Sequence, residues 1–156
     1  MVTPLQQALI LMAVANGGVI YRPMLVDKVI TTEGALKTDL QPEILRTVYL
    51  KPQDWDVIRQ GLIAVTTNGT GTAAFSGFPY RVAGKSGSAE TGRGTTHSWF
   101  AAYAPAENPA VAVAVLVDEG GEGSSAAAPA VRRILEAYFG IYNPQPVRTP
   151  PKGTTD

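Results

Sequence analysis

Apolar residues recur along this chain at helical spacing in some blocks and in alternation in others. In the first block Leu5, Ala8, Leu9, Met12 and Ala13 share one helical face. Thr3 suits the cap of that helix, Pro4 its first position and Gln6 a capping box, and Gly17-Gly18 stops it. A second helical run starts at Pro52, keeps Trp55, Ile58, Leu62 and Val65 in phase, and ends at Asn68-Gly69. A third, capped by Ser124 or Ser125, carries Val131, Ile134, Leu135 and Tyr138 and ends at Gly140.

Elsewhere the rhythm is that of strands. Residues 19–31 are rich in β-branched and aromatic side chains. With the turn Thr32-Glu33-Gly34 and residues 35–39 they predict a hairpin. A Gly/Thr-rich loop, 68–77, leads to three strands at 80–89, 98–104 and 110–118. Their connections are short enough for hairpins, so the spacing predicts an antiparallel meander. In the third strand Val111, Val113, Val115 and Val117 alternate with Ala110, Ala112, Ala114 and Leu116. Both faces are apolar, so a layer must cover each side of the sheet. The fold class is therefore α+β, an antiparallel sheet covered by helices, over residues 1–142. Residues 143–156, rich in Pro, Thr and charge without an apolar period, read as a disordered tail.

Charge narrows the functional classes. Thirteen basic residues balance thirteen acidic ones with no clustered excess, which argues against a nucleic-acid partner. The absence of cysteine removes disulfides, zinc–thiolate sites and thiol catalysis. The apolar run from Ala8 to Ala15 is far short of a membrane span and lacks the basic flank of a signal peptide. Any anchor or export signal is expected elsewhere.

The chemistry concentrates in Val82-Ala83-Gly84-Lys85-Ser86-Gly87-Ser88-Ala89-Glu90. On a strand, period two puts Ser86 and Ser88 on one face and Lys85 on the other. Two hydroxyls so spaced suit a single carboxylate, with Lys85 supplying positive potential nearby. Gly87 leaves room for a ligand backbone to pair along the strand. By itself a Lys-Ser-Gly string does not separate this reading from an exposed lysine in a turn. A phosphate-binding loop fits worse, because Pro79 stands where that loop needs glycine. Gly87, Gly92 and Gly94 also follow where a helix would have to start. His97, the only histidine, reads as a strand-end residue with no carboxylate partner identifiable in the sequence. Trp99, Phe100 and Tyr103 read as packing residues, and Asp118, Glu119 and Glu122 as solvated.

Taken together, ordered segments resemble the transpeptidase domain of class B penicillin-binding proteins, particularly the elongation-type (type 2) members. They are Thr3-Pro4-Leu5-Gln6-Gln7-Ala8 to Ala15-Asn16-Gly17-Gly18, then Gly69-Thr70-Gly71-Thr72-Ala73, then Ala83 to Glu90. They continue with His97-Ser98-Trp99-Phe100-Ala101-Ala102-Tyr103-Ala104-Pro105 and with Val111 to Val117 running into Glu119-Gly120-Gly121. The family's strand motif is Lys-Thr-Gly; Ser86 stands for its threonine and keeps a hydroxyl on the β-carbon.

The resemblance implies a three-layer α/β/α fold, shared with serine β-lactamases, of which this chain holds the C-terminal half. It implies a peptidoglycan D,D-transpeptidase that cross-links D-Ala-D-Ala stem peptides through a serine acyl-enzyme. In that scheme Lys85 lines the pocket and contributes electrostatics. Ser86 and Ser88 bind the carboxylate of a stem peptide or β-lactam beside Gly87, and the Ser88 N–H is an oxyanion-hole donor. No metal or organic cofactor is implied. The implied partners are the N-terminal part of the same domain and other cell-wall synthesis proteins of the membrane. The implied location is the extracytoplasmic face of the bacterial membrane. The family's Ser-x-x-Lys nucleophile motif and Ser-x-Asn motif are not in the sequence, so the chain by itself is expected to be inactive. A β-lactamase or β-lactam sensor shares the strand motif and is the nearest alternative. A non-enzymatic interaction piece is the alternative of another class.

Overall fold

The computed structural model describes residues 2–142; the tail expected at 143–156 lies outside the described residues. Helix α1 (Pro4–Ala15) opens on the capping box its sequence encodes. The Thr3 hydroxyl accepts from the Gln6 amide at 3.2 Å, and the Gln6 side chain accepts from the Thr3 amide at 2.9 Å. Two donors that a helix start leaves orphaned are thereby satisfied.

Strands β1 (Val19–Tyr21), β2 (Lys28–Ile30), β3 (Leu36–Asp39) and β4 (Ile44–Thr47) follow. β2 and β3 form the hairpin expected around Thr32-Glu33-Gly34, but residues 19–31 are not one strand. β1 leaves the hairpin and pairs antiparallel with β4. Pro23, with no amide hydrogen to give a ladder, breaks the run. Arg22 then donates to Glu43 from Nε and Nη2 at 2.6 and 3.0 Å, tying the end of β1 to the start of β4.

After α2 (Pro52–Thr67) the Gly/Thr-rich stretch contains α3 (Thr72–Phe75), a single turn too short to show a period in sequence. The meander is as expected: β5 (Ala83–Glu90), β6 (Thr96–Ala104) and β7 (Val111–Val117) pair antiparallel in that order. β5 begins later than position 80, because Tyr80 is held by aromatic packing instead of a ladder. Its ring lies 4.5 Å from Phe139 and 6.0 Å from Phe78, centroid to centroid. Helix α4 (Ala127–Tyr138) also starts later than expected, and neither Ser124 nor Ser125 caps it.

Helices cover both faces of this sheet, giving three layers. On one face Phe100, Ala102, Ala104 and Val113 pack with Phe75 of α3 and with Ala127, Ala128, Val131 and Leu135 of α4. On the other, Ala83, Ala101 and Tyr103 pack with Leu11 of α1 and, beside it, Val14 and Leu62. Phe100 is fully buried, a placement worth roughly 1.5–3 kcal/mol relative to exposure. Among the described residues no helix is long and apolar enough to cross a membrane.

Candidate functional site

The register of β5 on β6 fixes where the chemistry-bearing residues stand. Ser86 lies opposite Phe100, Ser88 opposite Ser98, Lys85 opposite Ala101 and Gly87 opposite Trp99. Directly opposed residues share a face, so Ser86 and Ser88 stand on the α3/α4 side and Lys85 and Gly87 on the α1/α2 side. β5 is the outer strand of the three, so its second edge has no strand partner among the described residues. The strand runs through Lys85 without a break, which excludes a helix starting there and with it the phosphate-loop reading.

Lys85 to Ser88 all line one groove of about 470 Å³. Its floor is apolar, from Leu11 and Val14 of α1 and Ile58 and Leu62 of α2. Trp99, expected to pack, also borders this groove. Lys85 Nζ donates to the Ser86 carbonyl at 2.7 Å, which holds the ammonium along the strand. A Cβ added at Gly87 would meet only Trp99 Cβ, at an ordinary 3.5 Å. Nothing on that face of the strand demands a glycine there.

The loop after α2 stands beside this edge. Thr70 Oγ1 and Ser86 Oγ share a hydrogen bond of 2.8 Å. The loop is fixed from several sides: the Gly71 amide donates to Val65 O at 2.8 Å, and the Thr72 hydroxyl donates to Gly69 O at 2.9 Å. The Phe100 ring closes the arrangement from below. Added Cβ atoms would come within 3.2 Å of it at Gly71 and within 2.7 Å at Gly84. Both glycines therefore let one buried ring carry the loop and the strand together. Sequence reading placed no functional residue at Thr70, whose neighbourhood with Ser86 arises only when the loop folds back over β5.

A second loop, between β7 and α4, braces the inner side. A Cβ on Gly123 would lie 2.3 Å from Trp99 O, 2.6 Å from Gly87 O and 2.8 Å from Gly87 N. The loop backbone is thus in contact with the backbone of the motif strand. Ser98, fully buried, holds it there by donating to Glu122 O at 2.8 Å and accepting from the Ala127 amide at 3.1 Å. Ser98 supplies the cap of α4 that the sequence assigned to Ser124 or Ser125. His97 has a carboxylate partner after all: Nδ1 is 2.7 Å from Asp118 Oδ1, at the end of the neighbouring strand. Among the described residues no three His, Asp or Glu side chains are grouped to hold a metal.

A family model described as "Penicillin binding protein transpeptidase domain" matches residues 1–136. The peptidoglycan D,D-transpeptidase MrdA of Haemophilus influenzae is 35% identical over 162 aligned positions, covering 92% of this chain and 24% of its own length. The peptidoglycan D,D-transpeptidase PbpA of Mycolicibacterium smegmatis is 35% identical over 144, covering 86% and 29%. Among solved structures, the D,D-transpeptidase domain of a peptidoglycan glycosyltransferase from Eggerthella lenta superposes with a TM-score of 0.79 at 35% identity. That match covers 89% of this chain and 32% of the other. The ceftriaxone acyl-enzyme complex of penicillin-binding protein A from M. tuberculosis gives 0.79 at 32% identity, covering 87% and 32%. The chain spans about a quarter of MrdA's length and under a third of PbpA's.

Proposed function

Because this chain belongs to the penicillin-binding transpeptidase family, we propose that it contributes the ligand-binding strand of a peptidoglycan D,D-transpeptidase. The observation that carries the reading is the run of Lys85 to Ser88 along the free edge of the outer strand, with Ser86 and Ser88 on one face and Lys85 at the groove on the other. The hydroxyls of Ser86 and Ser88 take the terminal carboxylate of a D-Ala-D-Ala stem peptide or of a β-lactam. A carboxylate only accepts hydrogen bonds, so two hydroxyl donors and a nearby ammonium complement it. The free edge of β5 pairs with the ligand backbone, and the absent side chain of Gly87 keeps that approach open.

The reaction is acyl transfer. A serine hydroxyl from a Ser-x-x-Lys segment attacks the carbonyl of the penultimate D-Ala. The C–O ester bond forms, the C–N bond to the last D-Ala breaks, and the serine proton passes through the lysine to the departing amine. An amine of a neighbouring stem peptide then attacks the ester, which restores the serine and leaves an amide cross-link. The Ser88 N–H donates to the oxyanion in both steps, a contact worth roughly 3 kcal/mol in the transition state. This chain contains no Ser-x-x-Lys or Ser-x-Asn, so alone it binds without acylating. The working location is the extracytoplasmic side of the membrane, where peptidoglycan is cross-linked, and other cell-wall synthesis proteins are its neighbours there.

The test is made in the complete transpeptidase bearing this chain. Ser86→Ala and Ser88→Ala each slow acylation by a penicillin, by up to about 3 kcal/mol of barrier for a charge-assisted hydrogen bond. Against an analogue whose carboxylate is a neutral amide, the same variants lose much less. Equal losses for acid and amide would mean that the serines support the strand and do not bind the ligand.

A further inference from the structure

Building on that carboxylate-binding reading, we infer that Thr70 is a positioning residue for it: its hydroxyl orients the Ser86 hydroxyl toward the ligand. The two oxygens are 2.8 Å apart, and between the two hydroxyls alone either can donate. A bound carboxylate removes that freedom. Each hydroxyl carries one proton, and a carboxylate accepts only. When the Ser86 proton goes to the ligand, the bond to Thr70 survives only if Thr70 donates to Ser86 Oγ. The result is a relay of donors, Thr70 to Ser86 to carboxylate, in which each hydrogen bond polarises the next. The relay also selects one Ser86 rotamer, because the hydroxyl that accepts from Thr70 has its own proton left to point elsewhere.

Thr70 is placed for this by more than chance proximity. Val65 O receives the Gly71 amide on one side of it, and Gly69 O receives the Thr72 hydroxyl across it. The Phe100 ring lies under Gly71 and under Gly84 of the motif strand, so the loop and the strand share one rigid floor. Buried packing thereby sets the backbone positions of the loop and the strand, and the exposed Thr70 hydroxyl reaches the half-buried Ser86 from that fixed loop.

The experiment compares Thr70→Val, which keeps the branched shape and loses the hydroxyl, with Thr70→Ser, which keeps the hydroxyl. Both are made in the complete transpeptidase, alone and with Ser86→Ala, and acylation is followed with a penicillin and with its neutral amide analogue. Thr70→Val should slow acylation by the penicillin roughly three- to tenfold, the range for one net hydrogen bond. Thr70→Ser should restore most of the rate. The loss should shrink toward nothing with the amide analogue and should not add to that of Ser86→Ala. An unchanged rate in Thr70→Val beside a slow Ser86→Ala would overturn the relay while leaving the carboxylate contact standing. Equal slowing of acid and amide by Thr70→Val, without rescue by Thr70→Ser, would also overturn it and make Thr70 a loop-packing residue. Should Ser86→Ala itself slow acid and amide equally, the carboxylate contact falls, and the relay with it.

Discussion

Tyr103 sits wholly inside the α1/α2 side of the sheet, and its hydroxyl is buried without a hydrogen-bond partner among the described residues. Burial raises its pKa above the ordinary tyrosine value, because the charged form would be stranded away from water. Removing the oxygen should therefore help. Tyr103→Phe is expected to stabilise the fold by about 1 kcal/mol in denaturant unfolding, since an orphaned buried donor costs roughly that much. The gain should grow at alkaline pH. The folded tyrosine holds its proton to higher pH than the unfolded one, so its contribution to stability declines as pH rises through about 10. Tyr103→Phe removes that decline; a variant less stable than the parent would contradict the account.

The same scale shows what a sequence carries and what it hides. Ser86 and Ser88 stand out because alternation alone puts them on one face. Ser98 carries no such signal: its partners, Glu122 O and the Ala127 amide, lie far along the chain and meet it only after α4 packs. Visible in the sequence only as part of a matching segment, it is the buried residue that pins the β7–α4 loop. His97 is a parallel case, since Asp118 reaches it from the next strand and not from its own.

Among the elements, those with a full period or a strong stop signal were legible: α1, α2, the meander and the β2–β3 hairpin. The short ones were not. α3 is one turn held by Gly71 and Phe75 against Phe100, and β4 is specified by its pairing with β1 and the Arg22–Glu43 bridge. The loop from β7 to α4 has no period at all, yet at Gly123 it lies directly against the motif strand. Gly123→Ala should be felt at β5, because the new Cβ would fall 2.3 Å from Trp99 O and 2.6 Å from Gly87 O. Backbone must move to accept it. In the complete transpeptidase the expected outcome is acylation slowed at least about tenfold, with amide NMR shifts displaced at Gly87 and Ser88. A variant with both unchanged would show that the loop does not set the strand's position.

At the scale of the molecule, helices cover both faces of the sheet, and its two cores account for most of what is buried. The alternation in β7 foretold the double cover, because a strand apolar on both sides needs a layer on each. The apolar floor of the groove was not foretold. Ile58 and Leu62 lie on the face that periodicity gives α2, but Leu11 and Val14 lie off the α1 face of Leu5, Ala8, Leu9, Met12 and Ala13; Leu11 is buried and Leu5 is exposed. The meander, its floor and the motif strand thus form the receiving half of a site. The account's central claim is that β5 grips a ligand carboxylate, and the most direct measurement is a crystal structure of the complete transpeptidase acylated by a penicillin. The drug carboxylate is predicted within about 2.5–3.0 Å of the Ser86 and Ser88 hydroxyl oxygens, with the drug's amide chain paired along the free edge of β5. A carboxylate held by other residues, with Ser86 and Ser88 facing empty solvent, would contradict it.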